Sequence, residues 1–299
     1  MKNSKYFFII GMNKAGTTSI YQYLKNHPNI STQTTKQNFY FLDKLWYSNF
    51  KEFVGPIHDF RDDYSGFIDK FYDQKKVYMD SSPEYFLCPL ALKRLKKFSE
   101  NYNTKLYVIF RDPVERFISL YKYHLQIGLI EKSMDFKTYI DLSIKENDIY
   151  NIKFNGFLTS DYRKFYDEYK IVFGDKLKIG FFEDFKRSPE IEIKNLLKFL
   201  EIEPMSLNHL SKVHNKSKFV TRNIKLTIIY TKIRFFLLKI MSIMNVSSKL
   251  VMCVSSLGSF LNRKLLMKEN VLKPSEKEIK LIMNNVKVDY DLFKKNIVK

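Results

Sequence analysis

Several features that would assign the chain to a large class are scarce. Only two cysteines, Cys88 and Cys253, occur in 299 residues. They stand far apart and share no metal-ligand spacing, which argues against a disulfide framework or a cysteine metal centre and fits a reducing compartment. No stretch reaches the roughly 18 uncharged apolar residues that a membrane-spanning helix needs. A signal-peptide pattern is missing too: the apolar run at 6–12 is short and continues straight into a glycine and lysine turn, with no small-residue cleavage site. The expected location is therefore cytoplasmic. No internal repeat is visible. Acidic residues are few, 32 Asp and Glu against 51 Lys and Arg, for a net charge of +19. Such an excess fits an anionic partner: a phosphorylated cofactor, a polyanionic glycan, a nucleic acid or a membrane surface. Lys and Asn are spread along the whole chain, so the charge fits simple solubility equally well and selects no partner alone.

Hydrophobic residues are plentiful at 45%, and 27 Phe and 20 Tyr predict an aromatic-rich core. The length suits one large core or two modest domains. The apolar run Tyr6 to Ile10 reads as a buried strand. A turn from Gly11 to Gly16 follows, and then a helix from Thr17 through Leu24. Residues 31–42 read as a loop or short strand bringing Lys36 and Gln37 toward that turn, and 43–75 as helix–loop–helix. Further strands are predicted at 77–80, 105–110 and 176–182. Helices are predicted from Pro89 to Lys97, from Pro113 onward, over most of 135–171, and from Ser188, a cap candidate, to Leu200. Residues 211–223 read as a basic polar loop. Residues 224–267 are apolar and basic at helical spacing, and a closing helix follows Pro274. Strands alternating with helices predict an α/β fold: a three-layer, P-loop-like parallel sheet flanked by helices. The expected organisation is a main domain at 1–223 and a helical C-terminal extension at 224–299 packed on it.

The stretch YFFIIGMNKAGTTS at 6–19 carries the clearest chemistry. A strand, a glycine turn and a helix N-terminus aim free backbone N–H groups and the helix dipole at one spot, which is an anion site. The two glycines match the nucleotide-triphosphatase pattern GxxxxGK[ST], but its lysine position is Thr17 and the loop's lysine is Lys14. A lysine inside the loop reaches the bridging oxygen between a phosphate and its leaving group, while Thr17, Thr18 and Ser19 add hydroxyls and N–H groups. With no hydroxyl after a lysine to hold Mg²⁺, the pattern predicts transfer without a metal. A second strand ends at Arg111-Asp112-Pro113, where Arg111 and Ser119 together can grip a second phosphate.

These two motifs resemble those of sulfotransferases that use 3′-phosphoadenosine-5′-phosphosulfate (PAPS), of the carbohydrate, heparan-sulfate-like type. Lys14-Ala15-Gly16-Thr17-Thr18-Ser19 matches the family's loop for the 5′-phosphosulfate. Arg111-Asp112-Pro113, Arg116 and Ser119 match its segment for the 3′-phosphate. Smaller echoes are His27-Pro28, Ser82-Pro83-Glu84-Tyr85-Phe86, Phe182-Glu183-Asp184-Phe185 and Asn215-Lys216-Ser217. The likeness covers roughly residues 5–220 in the family's order. It implies sulfuryl transfer to a hydroxyl or amine of a polysaccharide or glycolipid, with 3′,5′-adenosine bisphosphate (PAP) as product. It also implies that Lys14 neutralises the leaving phosphate oxygen and that Lys216, Ser217 and Lys218 close over the cofactor. No nucleic-acid partner is implied.

One departure stands out. The family's acceptor base is commonly a glutamate in a K-E-x-x-F-F segment, and here Lys36-Gln37-Asn38-Phe39-Tyr40-Phe41 puts Gln37 in its place. An amide can hold an acceptor but cannot take its proton at neutral pH. Glu84 is the first replacement, ahead of Asp80 and His124, and His124 reads better as a structural residue. The rivals to an active sulfotransferase are a nucleotide kinase, which the lysine's position argues against, and a non-catalytic cofactor- or polyanion-binding relic. The basic apolar stretch 224–262 reads as core-closing or dimer helices, or as an amphipathic surface for an anionic membrane.

Overall fold

The computed structural model describes residues 4–33, 36–48, 64–69, 71, 75–204, 219–221, 233, 236–237, 240, 267–269 and 272–298. Five parallel strands form its sheet: β1 (Lys5–Gly11), β2 (Ile30–Thr32), β3 (Val77–Asp80), β4 (Thr104–Phe110) and β5 (Leu177–Phe181), in the order β2-β3-β1-β4-β5. The strands expected at 6–10, 77–80, 105–110 and 176–182 are β1, β3, β4 and β5. β1 and β4 read as near-continuous apolar runs because helices cover both faces of a parallel sheet. Phe7, Phe8, Ile9 and Ile10 of β1 have no solvent exposure.

The helices, in chain order, are α1 (Thr17–Leu24), α2 (Lys44–Ser48), α3 (Ser65–Ile68), α4 (Pro89–Asn101), α5 (Pro113–Ile127), α6 (Phe136–Lys145), α7 (Tyr162–Phe173), α8 (Phe182–Arg187), α9 (Pro189–Leu200), α10 (Glu276–Asn285) and α11 (Tyr290–Val298). On one side of the sheet Phe8, Phe41 and Phe98 meet edge to face, with centroids 5.4–5.7 Å apart. Such pairs add about 0.5–1.5 kcal/mol each beyond their burial. A second apolar cluster lies beneath α5, where Phe117 stacks on Phe157 at 4.4 Å and Ile282 of α10 is fully buried. Phe293 of α11 packs edge-on against Phe110 at the end of β4.

After β1 the chain builds β2 and β3 on one side, then crosses to place β4 and β5 on the other. The carboxyl ends of β1, β3 and β4 therefore border the crevice where open α/β sheets bind ligands. The β1–β4 register shifts between Ile9 and Gly11, as β1 enters its loop.

Three sequence expectations need correction. Phe219–Thr221, expected as loop, is a strand, β6, pairing antiparallel with β7 (Met267–Glu269), so Met267, the last residue of the stretch read as helical at 224–267, is a strand residue. The β-favouring run Phe-Val-Thr outweighs its basic surroundings. Ser188 occupies the N-cap of α9 but makes no side-chain cap bond; Pro189 at the first helical position starts the helix instead. The mainly helical reading of 135–171 agrees with α6 and α7, which are joined through turns at Asp148 and Asn151 and a 3₁₀ turn at Leu158–Ser160.

Candidate active site

The loop after β1 has two residues in the left-handed region, Lys14 (φ 66°) and Gly16 (φ 92°). Gly16 is the residue before α1, and a Cβ on it would meet the Phe182 ring at 2.9 Å. Glycine is needed there for both conformation and space. No side chain caps α1, so the N–H groups of Thr17 and Thr18 in its first turn remain for a ligand, while that of Ser19 donates to the Gly16 carbonyl at 2.9 Å. Ala15 and Thr17 are buried, and Thr18 is half-buried.

The loop is tied to the end of β4. Arg111 Nη1 donates to the Lys14 carbonyl at 3.0 Å, and Nη2 pairs with Glu115 at 3.1 Å. The guanidinium also lies 4.9 Å from the Phe182 ring centroid. Tyr162 donates to the Arg111 carbonyl, and Glu183 accepts from the Asp112 amide. Asp112 caps α5 by accepting from the Glu115 amide. Ser119 sits half-buried on α5. Arg116 is different: it is 1% exposed and its Nη2 donates to Thr159 at 2.7 Å inside the protein, while its Nε and Nη1 have no hydrogen-bond partner among the described residues. The Phe182-Glu183 echo also frames the site, since Glu183 additionally accepts from Tyr290 of α11 at 2.7 Å. His27 joins α1 to the end of α9 through the Glu203 carbonyl at 2.8 Å.

On the β3 side, residues 36–41 are folded against the turn that follows the strand. Asn38 donates to Asp80 at 3.0 Å, Ser82 donates to Asp80 at 3.2 Å, and the Ser81 amide donates to the Lys36 carbonyl at 3.3 Å. Phe39, at φ 55°, lets the segment reverse. This brings Lys36 Nζ to Thr18 Oγ1 at 3.0 Å, so the expected approach of Lys36 to the first loop is present. Gln37 is half-buried beside it.

Glu84 follows the Ser-Pro turn and is 7% exposed, with Oε2 lacking any hydrogen-bond partner. Burial pushes its carboxyl up to about 7, against a weaker pull downward from its own backbone and from Lys36. Burial also lifts Asp80 to about 7; its Oδ2 lacks a hydrogen-bond partner among the described residues, as Glu84 Oε2 does, but its Oδ1 is held by Asn38 and Ser82. Lys36 is drawn down to about 8 by burial, with Glu84 and then Asp80 opposing. Lys14 is drawn down to about 7 by burial first, then by Arg111 and Lys36. Two cations and two carboxyls of near-neutral pKa thus border one crevice, a pattern that marks functional sites.

His124 is buried and its Nδ1 lies 3.2 Å from the Tyr139 hydroxyl. Burial, with Lys14 second, pulls its imidazolium down to about 3, so it is neutral and too weak a base to compete with Glu84. Sequence reasoning missed Tyr123, whose ring lies 4.1 Å from Lys14 Nζ. Nothing in a helix rich in Tyr and Phe marks that one ring in advance. Lys216, Ser217 and Lys218 lie outside the described residues. The strand that begins directly after them, β6, lies against α5, the helix that carries Ser119.

The family model described as sulfotransferase domain matches residues 4–234. A membrane-associated sulfotransferase, kil1, from Dictyostelium discoideum is 32% identical over 120 residues, covering 40% of this chain and 23% of that protein. The mouse heparan sulfate glucosamine 3-O-sulfotransferase 5 is 27% identical over 212 residues, covering 66% of this chain and 53% of that protein. The match therefore spans about half, or less, of the length of these curated relatives. A solved sulfotransferase from Alicyclobacillus acidocaldarius shares the fold, with a TM-score of 0.53 at 21% identity, over 77% of this chain and 90% of that one.

Proposed function

The chain belongs to the sulfotransferase family, and on that premise we propose that it moves a sulfuryl group from PAPS to a hydroxyl or amine of a carbohydrate acceptor. The observation that carries the reading is the meeting of donor loop and acceptor wall: Lys36 bonds Thr18 of the loop and neighbours the buried Glu84.

The residues present fit the donor. The uncapped turn of α1 offers the N–H groups of Gly16, Thr17 and Thr18 and the hydroxyls of Thr17, Thr18 and Ser19 to the 5′-phosphosulfate, with Ala15 shaping the loop beside it. Lys14 supplies positive charge where negative charge grows on the departing phosphate oxygen. Arg111 and Ser119 hold the 3′-phosphate, with Lys216, Ser217 and Lys218 covering it. Arg111 is already fixed by the Lys14 carbonyl, and its surface pair with exposed Glu115 is weak enough to yield to a phosphate.

On the acceptor side Gln37 holds the attacking group by hydrogen bonding, and Glu84 takes its proton. A new bond forms from the acceptor oxygen or nitrogen to sulfur, and the bond from sulfur to the phosphate oxygen breaks. The electron pair of that bond stays with the phosphate, giving PAP. A carboxyl held near 7 is well matched to this duty at neutral pH. The heparan sulfate relative supports a saccharide as acceptor. Incubation with PAPS carrying labelled sulfate and a panel of glycans tests the reading: label on at least one saccharide is expected. Tight PAP binding with no labelled product from any acceptor would instead favour the relic.

The reading extends to a membrane surface. Among the described residues no helix is long and apolar enough to cross a membrane. Within 224–262, however, five residues are basic (Lys225, Lys232, Arg234, Lys239 and Lys249) and none is acidic. Ile233, Phe236 and Leu237 are helical and exposed, at the spacing of one helix face. Apolar contact plus basic charge is how an interfacial helix holds an anionic bilayer. Flotation with anionic vesicles is expected to carry the protein upward, and a variant with Ile233, Phe236 and Leu237 changed to serine should stay behind. Equal flotation of both would remove the membrane surface from the account.

A further inference from the structure

Tyr123 belongs to α5, whose first turns complete the Arg111-to-Ser119 motif for cofactor phosphate, yet it lies outside every motif. Its ring face receives the Lys14 ammonium at 4.1 Å. Around that ammonium stand two other cations, Arg111 and Lys36, and the neutral His124. Glu84 is close enough to raise the Tyr123 phenol further after burial has done so. Tyr123 therefore neighbours both the residue proposed for the leaving group and the residue proposed as base. The Lys14 backbone is fixed by Arg111 at its carbonyl, so only the side chain is left to be placed.

We infer that Tyr123 is a positioning residue, whose ring face holds the Lys14 ammonium charged and directed across the crevice between the donor loop and Glu84. This role rests on the proposed sulfuryl transfer for its effect on rate, but not for its effect on Lys14 itself. The physical basis is the negative face of the aromatic ring, which attracts a cation most strongly where water is excluded. Neither Arg111 nor Lys36 can do this, since both repel Lys14. The ring, not the hydroxyl, is the working part.

Two readouts test the inference. The first needs no activity: the rate at which an amine-acylating reagent labels Lys14, followed by mass spectrometry across pH, gives the midpoint of its titration in the ligand-free protein. Tyr123→Phe is expected to leave the midpoint in place, and Tyr123→Leu to move it to lower pH. The second is transfer: Tyr123→Phe should keep the wild-type kcat, and Tyr123→Leu should lose about two- to thirtyfold. Should the Leu variant fold poorly, fluorinated phenylalanines at 123 preserve the shape while weakening the ring face, and kcat and midpoint should fall stepwise with fluorine number. An unchanged midpoint in Tyr123→Leu or across the fluorinated series, or equal losses in the Phe and Leu variants, would overturn the role. Absence of transfer in the wild type would fault the proposed function and leave the labelling result to judge Tyr123.

Discussion

Replacing Glu84 by Gln should lower sulfuryl transfer by about a hundred- to ten-thousandfold, the range that a positioned general base contributes. PAP affinity should change little, because Glu84 lies on the acceptor side at the end of β3, across the crevice from the Arg111 segment that holds the 3′-phosphate. The substitution keeps size and shape, so lost packing is not an alternative explanation. The residue's proton makes a second, sharper prediction. A base must be deprotonated, and burial holds Glu84 near 7 where an ordinary glutamate would lie near 4.5. The rate with both substrates bound should therefore rise with pH through about 7 and level off above it. A profile already flat from pH 5 upward would mean that the base is an ordinary exposed carboxylate elsewhere. The position of Gln37 adds a rescue test. Gln37→Glu in the Glu84→Gln background restores a carboxylate to the place the family commonly uses, and should recover part of the lost rate.

Lys14→Ala is the other substitution with a large expected effect, a loss of about a hundred- to a thousandfold or more in kcat. That is the scale for removing one preorganised electrostatic contact from the reacting centre. Its proton behaves oppositely to that of Glu84. In the ligand-free protein burial and two neighbouring cations hold Lys14 near 7, and a bound phosphosulfate, being anionic, would raise it. Cofactor binding above pH 7 should thus take up a proton, and affinity should fall as pH rises past about 7. Because kcat/KM reports the free enzyme, it should be bell-shaped, with Glu84 on the rising limb and Lys14 on the falling limb. Lys14→Arg should remove the falling limb, since a guanidinium stays charged. Calorimetry in buffers of different ionisation enthalpy measures the proton uptake directly. Equal apparent enthalpies in all buffers at pH 8 would contradict it.

The donor half of the site is legible in the sequence, for local reasons. A buried parallel strand is a contiguous apolar run, a left-handed turn selects glycine, and the helix start lies only residues away. Everything needed for Gly11 to Ser19 is contiguous in the chain, and the same holds for Arg111 to Ser119. The acceptor half is assembled from residues some forty positions apart. Asn38 meets Asp80, and Lys36 meets both Thr18 and the neighbourhood of Glu84, through a reversal at Phe39 that has no glycine to announce it. A Ser-Pro turn at a strand end is a local signal that points to Glu84, yet the burial on which its usefulness depends is a property of the packed crevice. Arg116 shows the converse. It matches a motif position, but the fold turns it inward to Thr159, so the motif there marks a structural tie.

The central claim is that the loop after β1 and the end of β4 form a site for an adenosine 3′-phosphate 5′-phosphosulfate rather than for a nucleoside triphosphate. Calorimetric titration of the full chain with PAP, followed by the same titration with ATP and Mg²⁺, tests it most directly. The account predicts one PAP per chain, weakened in Arg111→Ala, with ATP binding far more weakly. Preference for ATP over PAP would contradict it.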